Sequence, residues 1–238
     1  MMIWKPSILR LSENVHQINI GGTSVVLIEN VEGPILVDAG FRWSVKALSA
    51  SLNLFDYGLT DIKALLMTHF HPDHTGGASG LVENGVTETA IHKLDAPIVS
   101  GKQNMPGLMV IPVLKLIANP GMKYLAGNPV EPTTLLEGGE RLEFPIPINV
   151  IHTPGHTPGS VCYHLPTEGV LIAGDALSRR FNRLNGPSKV WSQDWAQGID
   201  SIHRLIGFDY DVVCLSHFKP VMENGKKVVK DLIDALQC

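Results

Sequence analysis

Thr68-His69-Phe70-His71-Pro72-Asp73-His74-Thr75-Gly76-Gly77 is the stretch on which the reading of this chain turns. It follows an apolar run, Ile62 to Thr68, that predicts a buried strand. The strand therefore ends on four metal-competent side chains crowded into residues 69–74 and interrupted by a proline. Two histidines one residue apart can both turn toward one point in irregular backbone, and imidazole suits zinc, iron and related ions. Asp73 and His74 come just after, placed to serve a second ion close by. Buried without metal, such a group would be expensive. The cluster reads as a metal centre rather than as packing.

Working outward, polar residues recur where apolar strands stop. Val15 to Ile20, Ser24 to Glu29 and Ile35 to Asp38 are β-rich runs parted by Gly21-Gly22 and Gly33-Pro34. Val45 to Phe55 has helical spacing, a helix is expected from Thr75, and Thr89 to His92 is a short strand. Farther on, Ile146 to Ile151 leads into His152-Thr153-Pro154-Gly155-His156-Thr157-Pro158-Gly159, a turn stiff enough to hold the His156 imidazole at little entropic cost. Val161 to Leu165 and Val170 to Ala173 form an expected hairpin ending at Gly174-Asp175, where a carboxylate can bridge two cations. A helix is expected from near Ser192, capped by its hydroxyl, to about Ile206. Val212 to Leu215 is a strand ending at Ser216-His217, and a last helix covers Gly225 to Leu236. Strands first and helices after, in both halves, predict an α/β protein with helices outside two packed sheets.

Composition narrows the class. Hydrophobic residues make up 44% and charged residues 18% of 238, the balance of a folded globular protein. The net charge of -4 gives no electrostatic reason to expect nucleic acid or an anionic membrane as partner. Neither a secretory leader nor an apolar run near 20 residues is visible, so the expected location is the cytoplasm. Cys162, Cys214 and Cys238 lack paired zinc-ribbon spacing, and the first two, in apolar runs, are expected to be buried free thiols.

The pattern H-x-H-x-D-H at residues 69–74 resembles the signature of the metallo-β-lactamase superfamily. The resemblance extends, in family order, to Val37-Asp38-Ala39-Gly40, Thr153 to Ser160, Ala173-Gly174-Asp175 and Ser216-His217, covering about residues 15 to 220. It implies an αββα four-layer sandwich, formed by residues 1–238 as one domain, with metals in a cleft at one edge of the sheets. By the same resemblance His69, His71 and His156 hold one ion, Asp73, His74 and His217 a second, and Asp175 bridges them. Asp38 orients a ligand from behind, as ligating imidazoles require. The implied cofactors are two divalent ions, zinc first, with iron or manganese as alternatives. The implied activity is hydrolysis by a bridging hydroxide, with Asp73 orienting it as the catalytic residue.

Substrate is less legible. A carboxylate rather than a cysteine at 175 resembles the hydroxyacylglutathione hydrolases and acyl-homoserine lactonases more than the β-lactamases that use a cysteine ligand. A small-molecule thioester or lactone is therefore expected ahead of a phosphoester or β-lactam. The tyrosine that such lactonases carry three residues after the bridging aspartate is Ser178 here, and the usual glycine after the last histidine is Phe218. Arg179, Arg180, Arg183 and Lys219 either meet substrate carboxylates or are solvated charges, the commoner fate. Val99 to Pro132, rich in Gly, Pro and Met, is either a cover over the site with Met105, Met109 and Met122 in an adaptable wall, or a peripheral insertion. Two rivals remain: an iron sulfur dioxygenase with a single ion, and a binding module with a decayed site. The oligomeric state is not legible.

Overall fold

The computed structural model describes residues 6–106, 125–181 and 183–236. Seven strands form one sheet in chain order: β1 (Ser7–Arg10), β2 (Val15–Ile20), β3 (Thr23–Ile28), β4 (Ile35–Val37), β5 (Ala64–Leu66), β6 (Glu88–His92) and β7 (Thr134–Leu136). A second sheet is built from β8 (Arg141–Leu142), β9 (Ile148–His152), β10 (Val161–Leu165), β11 (Val170–Ile172) and β14 (Val212–Cys214), with β14 beside β11. A separate hairpin pairs β12 (Ser178–Arg180) with β13 (Arg183–Asn185).

Side-chain alternation along the strands explains the layering. Ile35, Val37, Ala64 and Leu66 face Val161, Tyr163, Val170, Ile172, Val212 and Cys214 in the core between the sheets. The intervening Leu36 and Leu65 join a second core with Leu48, Leu52 and Leu81 of the helices Val45–Leu52 and Ala78–Glu83. Cys162, Leu171 and Val213 join a third core with Ile202, Leu205, Val229 and Ile233. Strands apolar on both faces need cover on both faces, and three cores make four layers, α-β-β-α. The Tyr163 hydroxyl donates to the Met67 carbonyl at 2.9 Å across the sandwich. Cys162 and Cys214 are buried free thiols, as expected, and burial lifts Cys162 to about 12. Cys238 lies outside the described residues. Among the described residues no helix is long and apolar enough to cross a membrane.

Where the elements depart from expectation, a local contact explains it. The helix from Val45 is α-helical only to Leu52 and tightens to a 3₁₀ turn over Asn53–Phe55, ending at Asp56 in a left-handed conformation. The helix expected from Thr75 is broken into Pro72–Thr75 and Ala78–Glu83, the first opening on proline, whose missing N–H loses nothing there. Ser192 does not cap a helix. Its hydroxyl donates to the Ser188 carbonyl at 2.7 Å, and Asp194 caps Trp195–Ser201 by accepting from Gln197 N–H at 2.9 Å. A 3₁₀ stretch, Ile202–Gly207, then carries the chain toward β14.

Candidate metal centre

The residues singled out by pattern arrive from five places in the fold. β5 runs through Met67 into the 69–74 cluster, β9 and β10 are joined by the loop holding His156, β11 ends before Asp175, β14 before His217, and β4 before Asp38. Ligand positions thus gather beyond strand ends, where open α/β sheets leave a crevice. The two sheets are tied at that edge by Val161 N–H, which donates to the Thr68 carbonyl at 2.9 Å. Gly174 is required at its position. Its φ is +54°, and a Cβ there would sit 3.1 Å from the Thr68 side chain.

His69, His71 and His156 converge as one set. His69 Nε2 and His156 Nε2 lie 3.0 and 2.9 Å from His71 Nδ1. These separations are close to those of nitrogens that share one zinc with bonds of about 2.0–2.1 Å. Asp73, His74 and His217 form a second set, with His217 Nε2 at 3.2 Å and His74 Nε2 at 3.5 Å from Asp73 Oδ2. Asp175 stands between them. Its Oδ2 is 3.3 Å from His156 Nε2, while its Oδ1 is 3.4 Å from His217 Nε2 and 3.7 Å from His74 Nε2.

Fixed partners behind the rings settle which nitrogen faces inward. Asp38, in a left-handed turn at φ 64°, accepts from His74 Nδ1 at 2.7 Å and from Thr68 N–H at 2.8 Å. The Thr68 hydroxyl donates to Asp38 Oδ2 at 2.8 Å, which leaves its oxygen to accept from His69 Nδ1 at 3.0 Å. His156 Nδ1 lies 3.4 Å from the Ser192 hydroxyl, and His217 Nδ1 donates to the Gly22 carbonyl at 3.0 Å. Four imidazoles therefore present unprotonated-capable Nε2 atoms, and His71 presents Nδ1, to the same cleft. Fit to a metal can be tested on one atom: Nε2 of His74 is buried with no hydrogen-bond partner, yet two carboxylates face it. A buried polar atom left so demands a partner, and a cation would supply it.

The electrostatics divide the same way. Burial, reinforced by the neighbouring imidazoles, holds His69 well below the usual histidine range, and burial with His156 beside it takes His71 to about 3. Burial lowers His156 as well. Burial also pulls His74 down, but Asp38, Asp73 and Asp175 together outweigh it and raise it to about 9. In His217, likewise, burial is overcome by hydrogen bonds to Asp175 and Asp73, and the group rises to about 11. Burial would raise Asp73, yet His74 and His217 bring it to about 2, and Asp175 is held low by the same two rings and His156.

The peripheral candidates fare differently. The Ser178 hydroxyl donates to the Gly186 carbonyl at 2.7 Å, so it is committed within the β12–β13 hairpin. Arg179 donates to the carbonyls of Lys219 at 3.1 Å and Pro220 at 3.3 Å. Arg180 sits over the Phe181 ring, and Arg183, Lys219 and Phe218 are exposed. Of the Val99 to Pro132 stretch, residues 107–124, with Met109 and Met122, lie outside the described residues. Its later flank packs two residues past the cluster, because a Cβ on Gly76 would meet the Leu125 carbonyl at 2.4 Å. The sequence did not single out Thr68 or Asp95 as supports of the site, and it read Ser192 only as a helix cap. Single hydroxyls and an aspartate in Lys93-Leu94-Asp95-Ala96 carry no spacing signal.

A model of the metallo-beta-lactamase superfamily matches residues 18–217. The chain is 26% identical over 198 residues to a probable metallo-hydrolase, YybB, of Bacillus subtilis, covering 83% of this chain and 81% of that one. It is 32% identical over 115 residues to a hydroxyacylglutathione hydrolase of Rhizobium meliloti, a match spanning 48% of this chain and 33% of that protein. In fold it is similar to the metallo-beta-lactamase family protein TTHA1429 of Thermus thermophilus, with a TM-score of 0.72 at 21% identity over 100% of this chain and 81% of the other. With the matched region spanning both sheets and every donor gathered at their edge, the chain belongs to the metallo-beta-lactamase superfamily and is a metallo-hydrolase of that family.

Proposed function

We propose that this chain, as one domain, hydrolyses an ester-type bond of a small molecule, thioester or lactone first, at a dinuclear centre. The observation that carries the reading is Asp175, whose two oxygens face two different donor sets at 3.3 Å and 3.4 Å. On this reading His69, His71 and His156 would hold one ion, Asp73, His74 and His217 the other, and Asp175 would serve both. Zinc suits the mixed nitrogen and oxygen donors, with iron and manganese next. When bound, such a pair of ions acidifies water between them and polarises the scissile carbonyl. Asp73, at about 2, stays ionised at neutral pH, so its carboxylate could orient the attacking water as well as join the second donor set. Asp38 and Thr68 hold the rings of His74 and His69, and Gly22 holds His217, so that none of them turns as charge builds. The relation to a hydroxyacylglutathione hydrolase supports an acyl bond as target, and the second donor set favours two ions over the single iron of a dioxygenase.

The test is a panel of thioester, lactone, carboxylic ester and phosphodiester substrates against zinc, manganese and iron forms. Turnover of a thioester or lactone that vanishes on chelation and returns with metal is expected. Full activity after chelation, or none on any substrate with two ions loaded, would sink the reading.

A further inference from the structure

We propose that Asp95 is a positioning residue that clasps the two loops of the first histidine set and thereby holds His71 against His156. The proposal rests on reading that set as a metal site. Asp95 follows β6, is 0% exposed, and its carboxylate accepts no hydrogen bond from the seven candidate ligands. Its Oδ2 accepts from Phe70 N–H at 3.0 Å and from the Thr157 hydroxyl at 2.6 Å, and its Oδ1 accepts from Gly159 N–H at 2.7 Å. Phe70 is the link between His69 and His71, and Thr157 follows His156 directly. One carboxylate thus joins the H-x-H loop to the β9–β10 loop across the gap where His71 Nδ1 and His156 Nε2 stand 2.9 Å apart.

Two further facts argue against packing alone. Burial outweighs the three hydrogen bonds and lifts the carboxyl to about 6, so the group is kept where an apolar residue would be cheaper to bury. Gly159 is shaped around it, since a Cβ there would lie 2.5 Å from Asp95 Oδ1. Any larger residue would push the loop off the clasp. A carboxylate has acceptors for all three donors. An asparagine of equal size has one acceptor oxygen and sets an NH₂ against a backbone N–H, so at least one of the three hydrogen bonds must break and the clasp loosens.

The experiment compares wild type, Asp95→Asn, Thr157→Val and Leu48→Ala. Leu48 is buried in the helical layer of the seven-stranded sheet, in a cluster that includes neither Asp95 nor its three partners, and serves as the control for plain destabilisation. Zinc affinity is read by competition with a chromophoric chelator, the site geometry by the visible absorption of the cobalt form, and stability by thermal melting of the metal-free protein. Asp95→Asn is expected to weaken the tighter zinc step about 10- to 100-fold, the range for residues that orient ligands from behind, and to shift the cobalt bands. Thr157→Val removes one donor and keeps the charge, so a several-fold loss is expected, and it decides the matter if Asp95→Asn does not fold. Leu48→Ala should melt earlier yet keep its zinc affinity. Wild-type affinity and cobalt spectrum in the folded clasp variants, or losses no larger than in Leu48→Ala, would overturn the clasp alone. A wild type that binds no zinc would overturn the metal reading and the clasp with it.

Discussion

The two donor sets meet at Asp175 but rest on opposite electrostatics. His69, His71 and His156 form a nearly dry group of neutral rings, with burial holding all three below the usual histidine range. Asp73, His74 and His217 form a wetter group, with the His217 side chain 31% exposed, in which carboxylates keep protons on both rings. A metal entering the first set displaces no proton at neutral pH. One entering the second must displace protons from His74 and His217, because ligands bind only in their deprotonated form. If the proposed two-ion reading holds, the first set is expected to fill before the second, with the gap narrowing as pH rises.

Substitution at the shared carboxylate should break the comparison most sharply. Asp175→Asn removes the charge that serves both sets, and a fall in kcat of more than about 100-fold is expected, beyond the 10- to 100-fold range of residues that act behind ligands. Elemental analysis should show fewer than two ions per chain; two ions with near-normal turnover would mean that the sets are independent. Asp38→Asn should affect the second set more than the first. It loosens the His74 ring directly and the His69 ring only through Thr68, and should lower affinity of the weaker metal step about 10- to 100-fold while changing the tighter one less. Equal losses in both steps would erase the distinction.

The pH response of metal-free protein sharpens it further. His74 at about 9 and His217 at about 11 lie above the ordinary 6.5, so their pairing stabilises fully below pH 6.5 and is lost as pH rises through 9 toward 11. Asp73, at about 2, reports the same pairing from the acid side: its contribution is present above 3.8 and lost as pH falls toward 2. A melting temperature that declines by several degrees between pH 6.5 and 9, and flattens once two ions are bound, is expected. Invariance across that window would contradict the pairing. The smallest effect belongs to Ser192→Ala, which removes the partner of His156 Nδ1 at 3.4 Å. A long hydrogen bond of this kind contributes about 0.5–1.5 kcal/mol at most, so less than about ten-fold in first-step zinc affinity is expected by chelator competition.

Runs such as Val161–Leu165, which the structure makes β10 without shifting either end, were legible because each strand is buried on both faces and so reads as one short, largely apolar stretch. β2 and the final helix Gly225–Leu236 were equally plain. The edge strands were not. Thr134–Leu136 and Ser7–Arg10 expose most of their side chains, and they are strands because a neighbour supplies their hydrogen bonds. The cap at Asp194 was misplaced to Ser192 because both residues suit the role and only the turn at Ser188 chooses between them.

At the site, residue type and order along the chain determined the seven candidate donors and Asp38, since clustered imidazoles and carboxylates at strand ends have few other uses. The family resemblance already implied how those donors divide; only the tertiary structure decided which ring nitrogen each presents and which Asp175 oxygen faces each group. It also brought in Thr68, Ser192 and Asp95, whose contacts cross between elements far apart in sequence. The physical reason is range: hydrophobic alternation is written locally, whereas a hydrogen bond between loops exists only once two sheets have packed.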